Sequence, residues 1–287
     1  MQYGIYVPNF GTFGTAAAVA SLAQEAETAG WDGVFLWDHI AGWHQPVVDP
    51  WVALTAAAMV TRRIRLGTTV TPLPRRRPTK LAREAASLDL LSNGRLTLSV
   101  GIGLGRAEWA DLGEETDLRA RGEMLDEGLA VLTGLWSGES FTFEGKHYVV
   151  RDACFAPTPV QAPRIPIWVG GIWPNKHPFR RMARWDGMFP LFGPAETVAE
   201  ELARLRDALT YVMDRRTSDG PFDVVCAGIS PGDDPRSAGD LVARYEEAGA
   251  TWWLEAIAPY RFQEGFDGPW PEDALLTRVR QGPPPGK

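Results

Sequence analysis

The stretch Pro78-Thr-Lys-Leu-Ala-Arg-Glu-Ala-Ala-Ser-Leu-Asp-Leu-Leu-Ser-Asn-Gly-Arg-Leu-Thr-Leu-Ser-Val-Gly-Ile-Gly-Leu-Gly105 decides the fold. It carries a helix, a turn and a strand in succession. Leu81, Ala85 and Leu88 fall on one face at helical spacing. Pro78 suits the first helical position and Asn93-Gly94 suits a helix end. Arg95–Val100 then reads as a strand, followed by a glycine-rich turn.

The same unit recurs along the chain. Short runs rich in β-branched and aromatic residues lie at Tyr3–Val7, Gly33–Trp37, Arg65–Thr71, Arg95–Val100, Ile165–Val169, Asp186–Leu191, Phe222–Ala227 and Thr251–Ile257. Most are almost wholly apolar, as strands covered on both faces are. Between them, Leu22, Ala26 and Ala29 share a helix face. So do Leu125, Leu129, Leu132 and Trp136, and also Val198, Leu202, Leu205, Leu209 and Val212. Pro194 and Pro235, like Pro78, are read as first helical residues. Eight strand–helix units predict an α/β fold, a (β/α)8 TIM barrel. The first four strands begin at 3, 33, 65 and 95, and the next only at 165. The wide gap is an insertion after strand 4. It holds a helix near 119–136 and a hairpin over Glu139–Val150 that turns at Glu144-Gly145. Residues 1–280 are read as a single domain, and Gln281–Lys287 as a disordered tail. An open doubly wound sheet is the alternative, but no Gly-x-Gly-x-x-Gly follows the first strand.

Composition narrows the class. The 287 residues are 45% hydrophobic and 23% charged, which excludes a disordered or fibrous chain. No apolar run is long enough for a transmembrane helix, and Met1–Pro8 lacks the pattern of a signal peptide. Two cysteines, Cys154 and Cys226, are too few for a disulfide framework. A reduced, cytoplasmic protein is expected. The net charge of -7 argues against nucleic acid or an anionic membrane as the main partner.

In a barrel the chemistry sits at the C-terminal ends of the strands. After strand 1 comes Pro8-Asn9-Phe10-Gly11-Thr12. After strand 2 comes Trp37-Asp38-His39, then Trp43-His44. An imidazole held at a strand end is the best acid/base candidate, against the plainer reading of a histidine that only hydrogen-bonds its loop. Zinc on Asp38, His39 and His44 lacks ligand spacing on a helix, so no metal is expected. After strand 3, Arg75-Arg76-Arg77 can clamp an anion or, more plainly, be a solvated loop or a subunit contact. After strand 4, Gly101, Gly103 and Gly105 permit close backbone approach, and Gly170-Gly171 after strand 5 suit a phosphate nest. Twelve tryptophans include Trp37, Trp43, Trp173, Trp252 and Trp253 at or near strand ends. They are either walls for a planar ligand or ordinary packing.

Taken together, five segments resemble the luciferase-like flavin oxidoreductases. They are Ala29-Gly-Trp-Asp-Gly-Val-Phe-Leu-Trp-Asp-His39, Arg65-Leu-Gly-Thr-Thr-Val-Thr-Pro72, Leu88–Gly101, Trp136–Tyr148 with Phe143-Glu-Gly-Lys-His-Tyr148, and Pro159-Val-Gln161 with Pro166-Ile-Trp-Val-Gly-Gly171. They run in the family's order over about residues 1–190. The resemblance implies a homodimeric barrel with a flavin-type ring across its mouth. It implies that Asp38 flanks the ring and His39 serves as acid/base. It implies a cis peptide at Thr69–Val70 behind the ring, with Gly101, Gly103, Gly170, Gly171 and Ile172 on the cofactor's ribityl phosphate side. Trp43, His44 and Trp173 would face a small organic substrate. The Asp-His pair is similar to that of users of the deazaflavin F420, which move hydride. The alternative is an FMN monooxygenase supplied by a separate flavin reductase. Further alternatives are a non-catalytic flavin-binding barrel and a metal-dependent hydrolase. One departure stands out. Leu104 occupies the place where sugar-phosphate dehydrogenases of this kind carry a glutamate and bacterial luciferases an arginine. Arg106 and Glu108 are the nearby candidates to substitute.

Overall fold

The structure, a computed structural model, describes residues 1–41, 44–105 and 107–285. Its barrel strands are β1 (Gln2–Val7), β2 (Gly33–Leu36), β3 (Arg65–Thr68) continued by β4 (Thr71–Pro72), and β5 (Leu96–Gly101). After the insertion hairpin, β6 (Phe141–Glu144) and β7 (Val149–Ala153), come β8 (Ile167–Ile172), β9 (Gly187–Leu191), β10 (Asp223–Gly228) and β11 (Trp252–Ala256). Every barrel pairing is parallel, and the ring closes through β1–β11 and β3–β5. The open-sheet alternative is therefore excluded.

The helices are α1 (Ala16–Thr28), α2 (Pro50–Val60), α3 (Pro78–Ser92), α4 (Ala107–Ala110), α5 (Leu118–Trp136), α6 (Lys176–Met182), α7 (Val198–Met213), α8 (Pro235–Glu247) and α9 (Glu272–Arg280). Pro78 and Pro235 stand in the first turn as the sequence suggests. Pro194 does not. Helix α7 starts at Val198, capped by the Thr197 hydroxyl on the Glu200 amide, because a hydroxyl cap satisfies an amide that proline cannot. Helix α2 is absent from the periodic patterns above because apolar residues surround it and no polar face gives contrast. Among the described residues no helix is long and apolar enough to cross a membrane.

Phe35, Trp168, Phe189, Val225, Trp252 and Leu254 fill the barrel. Phe35 stacks on Trp168 at 5.0 Å, and both meet Trp252 edge-on at 5.5 Å. Trp252 is thus a barrel-floor residue, not a pocket wall. Its neighbour Trp253 alternates outward and packs on Tyr245 of α8 at 4.9 Å. The tail assigned to disorder is held as far as it is described. Gly282 O accepts from Arg278 (2.7 Å), and Gly282 lies against the Ala29 carbonyl.

The deciding stretch also carries the ties between units. Arg95 is buried, and its guanidinium donates to Ala58 O, Thr61 O, Thr61 Oγ1 and Ile64 O, closing the end of α2 onto β3. Asp89, fully buried on α3, accepts from the amides of Val160 (2.8 Å) and Gln161 (3.1 Å) and from Gln161 Nε2 (2.7 Å). It fastens the far end of the insertion to the barrel wall. Removing such an acceptor leaves donors without a partner. Asp89→Ala is expected to lower stability by about 3 kcal/mol. A urea-midpoint change equivalent to less than about 1 kcal/mol, the level of an ordinary surface substitution, would contradict this.

Candidate active site

Strand β2 ends beside β1 and β3, where Trp37 N donates to Val7 O (2.8 Å) and Thr69 N to Leu36 O (2.7 Å). The chain then presents Trp37, Asp38 and His39 at the barrel mouth. Asp38 is buried and wholly engaged. Arg76 binds both its carboxylate oxygens, NH2 at 2.8 and 2.9 Å and Nε at 3.2 Å. Arg75 donates to the Asp38 carbonyl at 2.8 Å and reaches Oδ1 at 3.4 Å. Burial alone lowers the Arg76 guanidinium, but the Asp38 charge and its hydrogen bonds outweigh it, so the group stays above its ordinary value. Two of the three arginines after strand 3, Arg75 and Arg76, are therefore neither solvated nor an open anion clamp, whereas Arg77 is exposed. Arg75 and Arg76 neutralise a buried carboxylate.

His39 is fixed from two sides. Asn9, fully buried, accepts its amide (3.1 Å) and donates to its carbonyl (2.8 Å) and to Val48 O (2.7 Å). Its ring Nδ1 lies 3.0 Å from Glu108 Oε2. Glu108 Oε1 accepts from the amides of Ile40 (2.8 Å) and Ala41 (3.2 Å), and Arg75 NH1 stands 3.7 Å from Oε2. Burial pushes the Glu108 carboxyl up. The contact with His39 and those two amides overcome it and hold the group below the usual carboxylate range. A carboxylate on Nδ1 favours the tautomer protonated there, which places the basic lone pair on Nε2. A cavity of about 240 Å³ adjoins this network, lined by Asp38, His39, Arg75, Arg76, Asp49 and Val47 among others.

The floor of the mouth is Val70. Its peptide bond with Thr69 is cis, as the resemblance implies. A Cβ at Gly101 would come within 2.9 Å of one Val70 methyl, and a Cβ at Gly170 within 2.7 Å of the other. A Cβ at Gly103 (φ +81) would strike the Trp109 ring, and one at Gly171 would strike Pro178. Each of these glycines thus makes room for a side chain of this protein. Around the floor, Trp37 touches Tyr6 (5.2 Å), His39 (5.6 Å) and Phe266 (5.6 Å). Thr69 Oγ1 and Trp37 Nε1 are buried and, among the described residues, have no hydrogen-bond partner.

The structure brings Asp38, His39, Thr69 and Val70 together at one mouth. It does not add Trp173, whose ring packs outward on Phe179 (4.8 Å) and Tyr211 (5.7 Å) under the Lys176 ammonium. Ile172 and His44 are exposed, and Trp43 and Arg106 lie outside the described residues. Among the described residues no three His, Cys, Asp or Glu side chains converge as a metal site. Sequence reasoning missed Asn9 as the clamp on His39 and left Glu108 unassigned. Glu108 sits on a four-residue helix too short for any periodic signal.

Residues 1–268 match the model of the luciferase-like monooxygenase family. The chain is 39% identical over 162 residues to an F420-dependent glucose-6-phosphate dehydrogenase of Beutenbergia cavernae, covering 52% of this chain and 45% of the relative. It is 32% identical over 158 residues to the oxygenase component of a flavin-dependent trigonelline monooxygenase of Acinetobacter baylyi, covering 55% and 44%. The chain thus spans about half the length of these curated relatives. The coenzyme F420-dependent tetrahydromethanopterin reductase of Methanopyrus kandleri shares the fold, with a TM-score of 0.74, 18% identity and 98% of both chains covered. With the closed barrel and a family match over nearly its whole length, this chain belongs to the luciferase-like monooxygenase family.

Proposed function

We propose that the chain is an oxidoreductase that passes hydride between an F420-type deazaflavin at the barrel mouth and a small organic substrate, with His39 moving the proton. The carrying observation is the His39 Nδ1–Glu108 pair at the end of β2. It supplies the carboxylate that Leu104 does not. The residues present fit a planar ring with one polar edge. Val70 offers an apolar floor, and Thr69 Oγ1 and Trp37 Nε1 are buried polar atoms awaiting a partner. The ring, when bound, supplies the two-electron chemistry. The chain's own residues do the rest. Asn9 and Glu108 orient the imidazole, Arg75 and Arg76 hold the Asp38 carboxylate, and Tyr6, Trp37 and Phe266 exclude water. Identity to the F420-dependent relative favours the deazaflavin.

Titration of the protein with F420 and with FMN, each oxidised and reduced, tests the cofactor by ring fluorescence. Tighter binding of F420 is expected. A preference for reduced FMN would instead support an oxygen-consuming monooxygenase fed by a separate reductase, and binding of neither would overturn the reading. His39→Ala is expected to lower kcat by about 10²–10⁴-fold with cofactor affinity little changed. Unchanged turnover would remove His39 from the mechanism.

Glu108 carries a pH signature. A carboxyl held below its unfolded value contributes stability that is present above that value, near pH ~4.3, and is lost as pH falls through the folded value. The stability gap between the native protein and Glu108→Gln should therefore be smaller below that value than above it. Urea unfolding at both pH values checks it, and a gap that widens in acid would refute it.

A further inference from the structure

Arg75 has one nitrogen that its pairing with Asp38 does not use. The residue ends the short turn Leu73–Arg75 after β4, and its side chain is 4% exposed. Nη2 donates to the Asp38 carbonyl and reaches Oδ1. Nη1 is buried and, among the described residues, has no hydrogen-bond partner. It faces Glu108 Oε2 at 3.7 Å, too long for a hydrogen bond and close enough for an ion pair. That oxygen is already held by His39 Nδ1 at 3.0 Å. Two donors therefore compete for one acceptor, and the imidazole has it. A buried N–H without a partner is costly, so Arg75 draws on Glu108 whenever the histidine loosens its hold.

The surrounding charges are of both signs. Arg76 is committed to both oxygens of Asp38 and stands 3.5 Å from Asp49, the cap of α2. Asp38 and Asp49 line the cavity beside His39 together with Arg75 and Arg76, and Glu108 comes from α4. Asn9, Phe10 and Trp37, which contact His39 from the ends of β1 and β2, carry no charge. The Glu108 carboxylate favours an imidazole protonated on both nitrogens. A guanidinium 3.7 Å from that carboxylate opposes a second positive charge beside it. A base that held its proton too firmly could not pass it on.

We propose that Arg75 is a positioning residue for His39: anchored on Asp38, it shares the Glu108 carboxylate with the imidazole and keeps the ring able to take up and release a proton. It acts on the ring through Glu108. The role builds on the oxidoreductase reading above, which gives that proton its use.

The chain has four histidines, so the His39 C2–H resonance can be assigned by its loss in His39→Gln. It can then be followed by NMR against pH in the full chain with no cofactor present. Arg75→Met should raise the pH at which that resonance titrates by about one unit, a tenfold firmer hold on the proton. Arg75→Lys keeps a cation for the Asp38 carbonyl without the second nitrogen for Glu108. It should shift the resonance in the same direction, and it carries the test if Arg75→Met does not fold. In a Glu108→Gln background the Arg75 substitutions should have almost no effect, since the group they act through is gone. An absent or downward shift in the folded Arg75 variants would overturn the proposal. So would an equal shift in both backgrounds, because Arg75 would then act on His39 without Glu108. If the resonance behaves as expected while neither F420 nor FMN binds, the oxidoreductase reading falls and the link from Arg75 to His39 stands.

Discussion

Closure of eight strands creates an interior that no solvent can fill, so side chains must. This chain meets that constraint with aromatic rings instead of layers of branched aliphatics. Phe35, Trp168 and Trp252 occupy the centre. Rings of that size need space from neighbouring strands, and glycines provide it. A Cβ at Gly33 would come within 2.5 Å of Phe35, one at Gly67 within 2.9 Å of it, and one at Gly187 within 2.5 Å of Trp168. At Gly4 it would come within 2.9 Å of Leu254. The glycine pattern of the strands is therefore the complement of the aromatic pattern, and neither set can change alone.

A filled barrel pushes every functional atom to its rim, and the rim here is organised by charge. Asp38 and Glu108 face Arg75 and Arg76 in a nearly dry network. Such a network is costly to form and costly to break. Removing one partner of a buried pair typically destabilises by about 3–5 kcal/mol, because the other charge is left without compensation. The result is a rigid frame on which His39 is the partly exposed member. A similar frame stands behind β11. Glu255, fully buried, accepts from Ser230 N and Oγ and from Trp253 Nε1 and pairs with Arg261 and Arg278. It ties the last barrel strand to α9 and carries no contact with the mouth residues described above.

All eight barrel strands were legible in the sequence, because strands buried on both faces leave unbroken apolar runs. The faces of α1, α3, α5 and α7 were legible too, and the start of α8 at Pro235, whereas α2 was not, since an apolar surround gives no period to read, and the short α6 and α9 were not read either. The insertion hairpin was legible from its turn. Its seat on α5 was not, because the Glu127 carboxylate that accepts the amides of Lys146, His147 and Tyr148 acts across a distance of about twenty residues. At the site, Asp38 and His39 were found from their place at a strand end. Their partners were not, since an ion pair between Asp38 and Arg76 leaves no mark in either local segment. The tryptophans illustrate the opposite error. Trp252 and Trp253 sit at a strand end in sequence, but the strand's alternation sends one to the floor and one to α8.

The position of Glu108 bears on how one barrel hosts different chemistries. The strand-4 end carries Leu104, which is exposed, where a carboxylate would be read by analogy. The carboxylate arrives instead from α4, one turn further on, and meets the imidazole from the side through Nδ1. A group at the strand end would stand over the mouth and act on the ligand directly. A group reaching in from α4 acts on the histidine, setting its tautomer and orientation, and leaves the space above Val70 apolar. The same displacement that takes a carboxylate away from the strand end brings it onto the His39 ring, whose orientation it fixes through Nδ1.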